Sequence, residues 1–117
     1  MNNFRELDVW KKAVELATRI YQLTDDYPKQ EVYGLTSQIR RCTVSISSNI
    51  AEGAGRRSEK EFQKFLDIAT GSCYELETQL IISNNLQYLN EAEYKNIKGK
   101  LIEIQKMIYA LRQSLAE

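Results

Sequence analysis

The chain has 117 residues, 43% of them hydrophobic, which is the size and apolar content of one domain with one continuous core. Sixteen basic residues balance sixteen acidic ones, so no global field draws the chain toward nucleic acid or membrane, and any such attraction must be local. Histidine is absent, which removes the usual general base, the commonest metal ligand and the Glu-x-x-His motif of di-iron bundles.

Met1 to Leu7 is polar and mixed in charge, unlike a signal peptide, and no run reaches the ~18 apolar residues of a membrane span. A cytoplasmic protein with no membrane partner is expected. Cys42 and Cys73 occupy apolar helical positions and read as buried, reduced thiols rather than a disulfide framework.

Apolar residues recur at threes and fours, the period of helices. The first helix is predicted over 8–26, with Val9, Ala13, Leu16, Ile20 and Leu23 on one stripe, and ends ahead of Tyr27-Pro28 because proline disfavours helix in its predecessor. The second, over 33–52, carries Leu35, Ile39, Cys42, Ile46 and Ile50. Gly53-Ala54-Gly55 is expected to stop it through the left-handed conformation that glycine adopts freely. Ser58 with Glu61 forms a capping-box signature for a third helix over 59–85, whose stripe includes Phe62, Phe65, Leu66, Ala69, Cys73, Leu76 and Leu80. Asn90 with Glu93 repeats the signature for a fourth over 91–115, with Tyr94, Ile97, Leu101, Ile104, Ile108, Leu111 and Leu115. Four such helices joined by short loops predict an all-α, antiparallel up-down-up-down four-helix bundle, a single domain spanning 1–117.

A helix packed only within its own bundle needs an apolar arc of ~100°. Three of these helices carry more. Helix one adds Trp10, Val14 and Tyr21, with Ala17 at the join. Helix three adds Tyr74 and Ile81 on one flank and Ile68 and Ile82 on the other, and helix four adds Ile102 and Tyr109. Trp10, Val14, Tyr21, Tyr74, Ile81, Ile102 and Tyr109 are therefore the candidate interface of a homo-oligomer, because contiguous exposed apolar surface otherwise favours aggregation. The competing reading is ordinary scattered surface apolars. Gly71 interrupts helix three at about 1 kcal/mol relative to alanine, which the close approach of another helix would offset; Gly99 does the same or is an exposed compromise.

Arg41, Ser45 and Asn49, one turn apart, form a polar ridge beside the stripe of helix two. Glu75 and Glu77 fall at the matching height on helix three, so Arg40 or Arg41 is expected to pair with one of them in a structural polar network of Arg40, Arg41, Ser45, Asn49, Glu75 and Glu77. A phosphate-binding or catalytic role is the alternative, but Ser45, Ser47 and Ser48 have no histidine or evident lysine to activate them. Charge is segregated as well: Arg40 to Lys64 holds six basic and three acidic residues, whereas Phe65 to Tyr94 holds five acidic and no basic ones. Arg56, Arg57, Lys60 and Lys64 surround a helix N-terminus and are candidate nucleic-acid contacts, which a cyclic oligomer would gather into a basic rim. Against this stands ordinary solvated charge with local salt bridges to Glu59 and Glu61. No aromatics interleave with these cations, so base stacking is not expected. The ATP-binding, dinucleotide-binding and zinc spacings are absent, so no catalytic residue, cofactor or metal ligand is assigned and the chain is not read as an enzyme.

The run Tyr33-Gly34-Leu35-Thr36-Ser37-Gln38-Ile39-Arg40-Arg41, continued by Ser45-Ile46-Ser47-Ser48-Asn49-Ile50-Ala51-Glu52-Gly53, resembles the signature of the four-helix-bundle proteins named for 23S rRNA intervening sequences. The resemblance extends from Leu7-Asp8-Val9-Trp10-Lys11-Lys12-Ala13 through Gly71-Ser72-Cys73-Tyr74-Glu75-Leu76-Glu77-Thr78-Gln79-Leu80. It implies a left-handed antiparallel bundle assembled as a homopentamer with a central channel. The accessory proteins of diversity-generating retroelements, which bind nucleic acid and a reverse transcriptase, are similar in fold but strongly basic, whereas this chain is neutral. The sequence thus reads as a non-enzymatic, pentameric accessory or scaffold protein for another macromolecule. The alternative is an RNA- or DNA-binding accessory protein acting through the basic rim, with Arg40 and Arg41 contributing.

Overall fold

The computed structural model describes residues 3–115; residues 1–2 and 116–117, part of the single domain expected over 1–117, lie outside the described residues. Four helices carry the chain: α1 Asp8–Thr24, α2 Leu35–Ala54, α3 Glu59–Asn85 and α4 Glu91–Ser114. Short 3-10 turns at Phe4–Glu6 and Lys29–Glu31 precede α1 and α2, and the described residues contain no strand. The fold is all-α, and the stripes read from the sequence turn to the core, with Leu35, Phe65, Tyr94 and Leu111 only half-buried. Leu16 and Ile20 of α1, Ile39, Ile46 and Ile50 of α2, Leu66 and Leu76 of α3, and Leu101, Ile104 and Ile108 of α4 are all essentially inaccessible. At ~1.5 Å rise per residue, the 27 residues of α3 run nearly the whole 44 Å length of the molecule.

Each helix packs against two others: α1 and α3 both contact α2 and α4. α2 and α3, and likewise α3 and α4, run in opposite directions, because residue numbers rise along one helix as those of its partners fall along the other. Ser45 of α2 meets Ser72 of α3, while Gly53 further along α2 meets Phe62 and Phe65. Glu77 of α3 likewise meets Gln105 of α4, while Asp67 meets Arg112.

Gly53 departs from its expected role. It does not stop α2: the helix continues through Ala54, and no glycine among the described residues has a positive φ. Its role is steric. A Cβ at Gly53 would lie 2.6 Å from the Phe65 Cβ and 2.9 Å from the Phe62 Cδ1, so the missing side chain lets the start of α3 lie against the end of α2. Nothing lies within 4 Å of a Cβ built at Gly71 or Gly99, so no helix of the same chain offsets their propensity loss.

The other boundaries shift for local reasons. α1 ends at Thr24 rather than 26 as the amides of Asp26 and Tyr27 tighten onto the Leu23 and Thr24 carbonyls, and Thr24 Oγ1 donates to the Ile20 carbonyl. α2 starts at Leu35 rather than 33 because Lys29–Glu31 forms its own turn and Glu31 Oε1 accepts the Leu35 amide at 3.1 Å. At α3, Ser58 accepts from the Glu61 amide, but the reciprocal capping-box bond is made only at Asn90–Glu93. α3 ends in a Schellman motif: Gln87 donates to the Asn84 carbonyl and Tyr88 to the Ser83 carbonyl, with Gln87 left-handed at φ 63°.

Two substitutions follow from this geometry. Gly53→Ala is expected to destabilise the chain by about 1–3 kcal/mol through overpacking against two phenylalanines, read as a lower urea midpoint. Gln87→Gly is expected to raise stability by about 0.5–1 kcal/mol in the same assay, since relief of the left-handed strain outweighs the added chain entropy.

Candidate functional site

The square arrangement of helices gives the bundle four sides, and the polar and apolar residues left over from the core divide among them. On the α1–α2 side, Val14 and Tyr21 of α1 and Val44 of α2 are exposed around a shallow groove that also takes in Ala17 and Ser47. Arg40 closes one end. Its Nε donates to Thr24 Oγ1 at 2.9 Å, its Nη2 donates to Asp25 Oδ1 at 2.9 Å and to the Tyr21 carbonyl at 3.1 Å, and its guanidinium lies 4.6 Å from the Tyr21 ring centroid. Arg40 therefore binds α1, not Glu75 or Glu77 as expected. Consecutive residues on a helix point ~100° apart, and that step places Arg40 on the flank facing α1 and Arg41 on the flank facing α3.

The α2–α3 side has a polar seam with exposed apolar residues beside it, Ile68 and Ile82 lying seven residues either side of Glu75 on α3. Ser45 and Ser72 share a 2.9 Å hydroxyl bond, Asn49 Nδ2 donates to the Ser45 carbonyl at 2.8 Å and to its Oγ at 3.0 Å, and the Cys42 thiol donates to the Ser72 carbonyl. A groove of about 450 Å³ runs over this seam between Gln38 and Arg41 on one wall and Glu75 and Gln79 on the other. Arg41 donates to Ser37 Oγ at 3.1 Å, and it forms no ion pair with Glu75. Glu77 lies on the opposite flank of α3 and accepts from Gln105 Nε2 at 3.1 Å. The expected network of six is thus divided: Arg40 bonds to α1, Asn49 to Ser45 and Ser45 to Ser72, Glu77 to α4, Arg41 to Ser37, and Glu75 stands on the groove wall with no ion pair among the described residues.

Asp67, Tyr74 and Ile81 are seven residues apart and form one line along α3. Asp67 holds Arg112 of α4 through two bonds of 2.6 and 3.1 Å, which fixes that line as the α3–α4 side. Tyr74 is 59% exposed and Tyr109 of α4 66% exposed on this side, with Ile81 exposed and Ile102 half-buried further along it. Trp10 is half-buried, with its ring edge-on to Phe4 at 5.1 Å. The α1–α4 side is charged. Lys12 pairs with Glu103 at 3.6 Å beside Glu15, Arg19 and Lys100, and Lys95 and Lys106 extend the cations across α4 around Gly99.

At the α2–α3 turn, Arg56 is committed to Glu52 at 3.0 Å and lies over the Phe65 ring. Arg57, Lys60 and Lys64 are exposed and form no ion pair among the described residues. The sequence reading missed Ser72, the partner of both Cys42 and Ser45, for which a small polar residue beside a core cysteine was the available signal. It also missed Tyr33, 97% exposed at one end of the α2–α3 groove, and the cations of the α1–α4 side.

The family pattern described as 23S rRNA-intervening sequence protein matches residues 5–110. A crystal structure of a protein of unknown function from the S23 ribosomal protein family of Bacteroides thetaiotaomicron superposes with a TM-score of 0.81 at 28% identity, covering 91% of this chain and 99% of that one. No curated protein matches the chain significantly.

Cys42 and Cys73 are buried and free, as the sequence implied. Burial, with the Glu75 charge adding to it, pushes the Cys42 thiol up to about 11; burial, with Cys42 and Glu77 adding, pushes Cys73 up to about 12. The folded chain thus keeps protons that an unfolded thiol loses near its ordinary 9.0, a contribution present below pH 9.0 and lost as pH rises toward 12. Thiolate absorbance is expected to rise near pH 9 in urea but only toward pH 11 in the folded chain, with the urea midpoint falling over the same interval.

Proposed function

We propose that this chain, which belongs to the 23S rRNA-intervening sequence protein family, is a non-enzymatic homo-oligomer, a pentameric ring that serves in the cytoplasm as an accessory or scaffold for another macromolecule. The observation that carries the reading is the pair of apolar strips on opposite sides of the bundle: Val14, Tyr21 and Val44 on the α1–α2 side, and Tyr74, Ile81 and Tyr109 on the α3–α4 side. Two different strips on different sides suit a heterologous contact, one strip of each copy against the other strip of the next, and such contacts form a ring where the rotation between copies closes. Apolar surface of this extent, left in water, favours association over a free monomer. A non-catalytic role is supported by the chemistry available: there is no histidine, and Ser45 is bonded to Ser72 and Asn49 rather than to a base. No helix among the described residues is long and apolar enough to cross a membrane.

A second reading, nucleic-acid binding through the rim, draws on Arg57, Lys60 and Lys64, three exposed cations without ion pairs among the described residues at the α3 N-terminus. Arg56 contributes less, being held by Glu52. Binding of this kind would weaken steeply with salt, since phosphate contacts release counterions.

Light scattering of the purified protein is expected to give about five times the 13.6 kDa chain mass; a monodisperse monomer at micromolar concentration would sink the reading. Tyr74→Lys and Tyr109→Glu should each lower that mass without loss of helicity by circular dichroism. In a mobility-shift titration with RNA and DNA, charge reversal at Arg57, Lys60 and Lys64 abolishes any shift if the rim is the contact, and no shift at low salt removes the second reading.

A further inference from the structure

Independently of the self-association reading, we propose that the α2–α3 groove binds a small dipolar molecule, an α-amino acid with an apolar side chain, its carboxylate on Arg41 and its ammonium on Glu75. The groove, about 450 Å³, falls within the roughly 300–1,000 Å³ of small-ligand sites. Its floor is already bonded. The Cys42 thiol and the Ser45 hydroxyl both engage Ser72 across the seam, so recognition is left to the walls. Those walls carry one charge of each sign. Arg41 on α2 donates to the neutral Ser37, Glu75 on α3 is exposed, and neither forms an ion pair among the described residues. They nevertheless face one space: both line the groove, and Glu75 stands close enough to Cys42, the residue after Arg41, to act on its thiol through charge.

The ligand class follows from that arrangement. A simple anion entering the groove is opposed by Glu75 and a simple cation by Arg41, whereas a molecule carrying both charges gives each wall the partner that the chain withholds. Gln79, one turn beyond Glu75 on the same wall, points the same way. Its side-chain oxygen is buried with no hydrogen-bond partner among the described residues, an acceptor for which the chain supplies no donor. The terminal torsion of a glutamine is broad, so that oxygen can swing toward the groove beside the Glu75 carboxylate, where an ammonium with three donors serves both. The apolar arm has its place at one end. Because α2 and α3 are antiparallel, the start of α2 lies beside the end of α3: Tyr33, 97% exposed, lines the groove there, and Ile82, also exposed, lies one turn past Gln79. An apolar side chain laid against these two removes apolar surface from water on both partners.

Calorimetric titration of the purified full chain tests this with L-phenylalanine and L-leucine as probes, each expected to bind saturably at millimolar concentration. N-acetyl-L-phenylalanine, which lacks the ammonium, and L-phenylalaninamide, which lacks the carboxylate, should each bind about tenfold or more weakly. Glycine, with both charges and no apolar arm, should bind more weakly than either probe. Arg41→Gln and Glu75→Gln are each expected to lower the affinity for L-phenylalanine about tenfold, with helicity by circular dichroism unchanged, since both side chains lie at the surface. Tyr33→Ala should narrow the gap between L-phenylalanine and glycine. Lys100→Gln, on the α1–α4 side, should bind like the wild type. No saturable binding of either probe overturns the site, and so does binding that survives both Arg41→Gln and Glu75→Gln. An N-acetylated probe that binds as tightly as the free amino acid overturns the ammonium contact and with it the dipolar ligand. The analogue series needs no variant, so a substitution that unfolds the chain leaves the test intact. A wild-type monomer that binds L-phenylalanine defeats the self-association reading alone, whereas a wild-type ring that binds neither probe defeats only this inference.

Discussion

The close seam between α2 and α3 is the constraint on which the rest of the molecule depends. Small residues line it on both helices: Cys42, Ser45 and Gly53 on α2, and Ala69, Ser72 and Cys73 on α3. Close approach lets hydroxyl and thiol groups reach across the seam and bond to one another there. It also lets Phe62 and Phe65 lie directly on the helix at Gly53, where any side chain would collide. With α2 and α3 locked in rotation and height, the flanks that each presents to α1 and α4 are fixed as well.

That rotation sorts the surface. Two arginines adjacent in sequence have unrelated roles because one step along a helix turns a side chain through ~100°. Arg40 ties α2 to the end of α1 through Thr24 and Asp25, while Arg41 stands over the α2–α3 groove. The carboxylates on α3 divide in the same way, Glu75 to the groove and Glu77 to α4. A net charge of zero therefore conceals a patterned exterior: apolar strips on the α1–α2 and α3–α4 sides, a cation-rich α1–α4 side, and a polar α2–α3 groove with exposed Ile68 and Ile82 beside it.

The buried thiols are consistent with this architecture. With both pKa values pushed up by desolvation, Cys42 and Cys73 remain protonated at neutral pH and behave as small apolar packing groups, and Cys42 gives its one weak donor to a carbonyl across the seam. Their contribution is to spacing between helices.

Much of the fold was legible in the sequence because helix formation is read locally. The 3.6-residue period, the cap at Ser58, the capping box at Asn90 and Glu93, and the stripes from Val9 to Leu115 all depend on residues within a few positions of one another. The excess apolar residues were legible for the same reason, and Val14, Tyr21, Tyr74, Ile81 and Tyr109 are exposed in the structure. The direction in which each helix turns, and how closely its neighbours come, left no such local mark. Gly53, Gly71 and Gly99 look alike in sequence, yet the first is packed under two phenylalanines and the other two face open space. Arg40 looked equally able to reach α1 or α3, and its partner, Asp25, lies 15 residues back along the chain. Local pattern alone was enough for four helices and their buried faces. Which flank meets which neighbour emerged with the packed bundle, because it depends on distances between segments far apart in the chain.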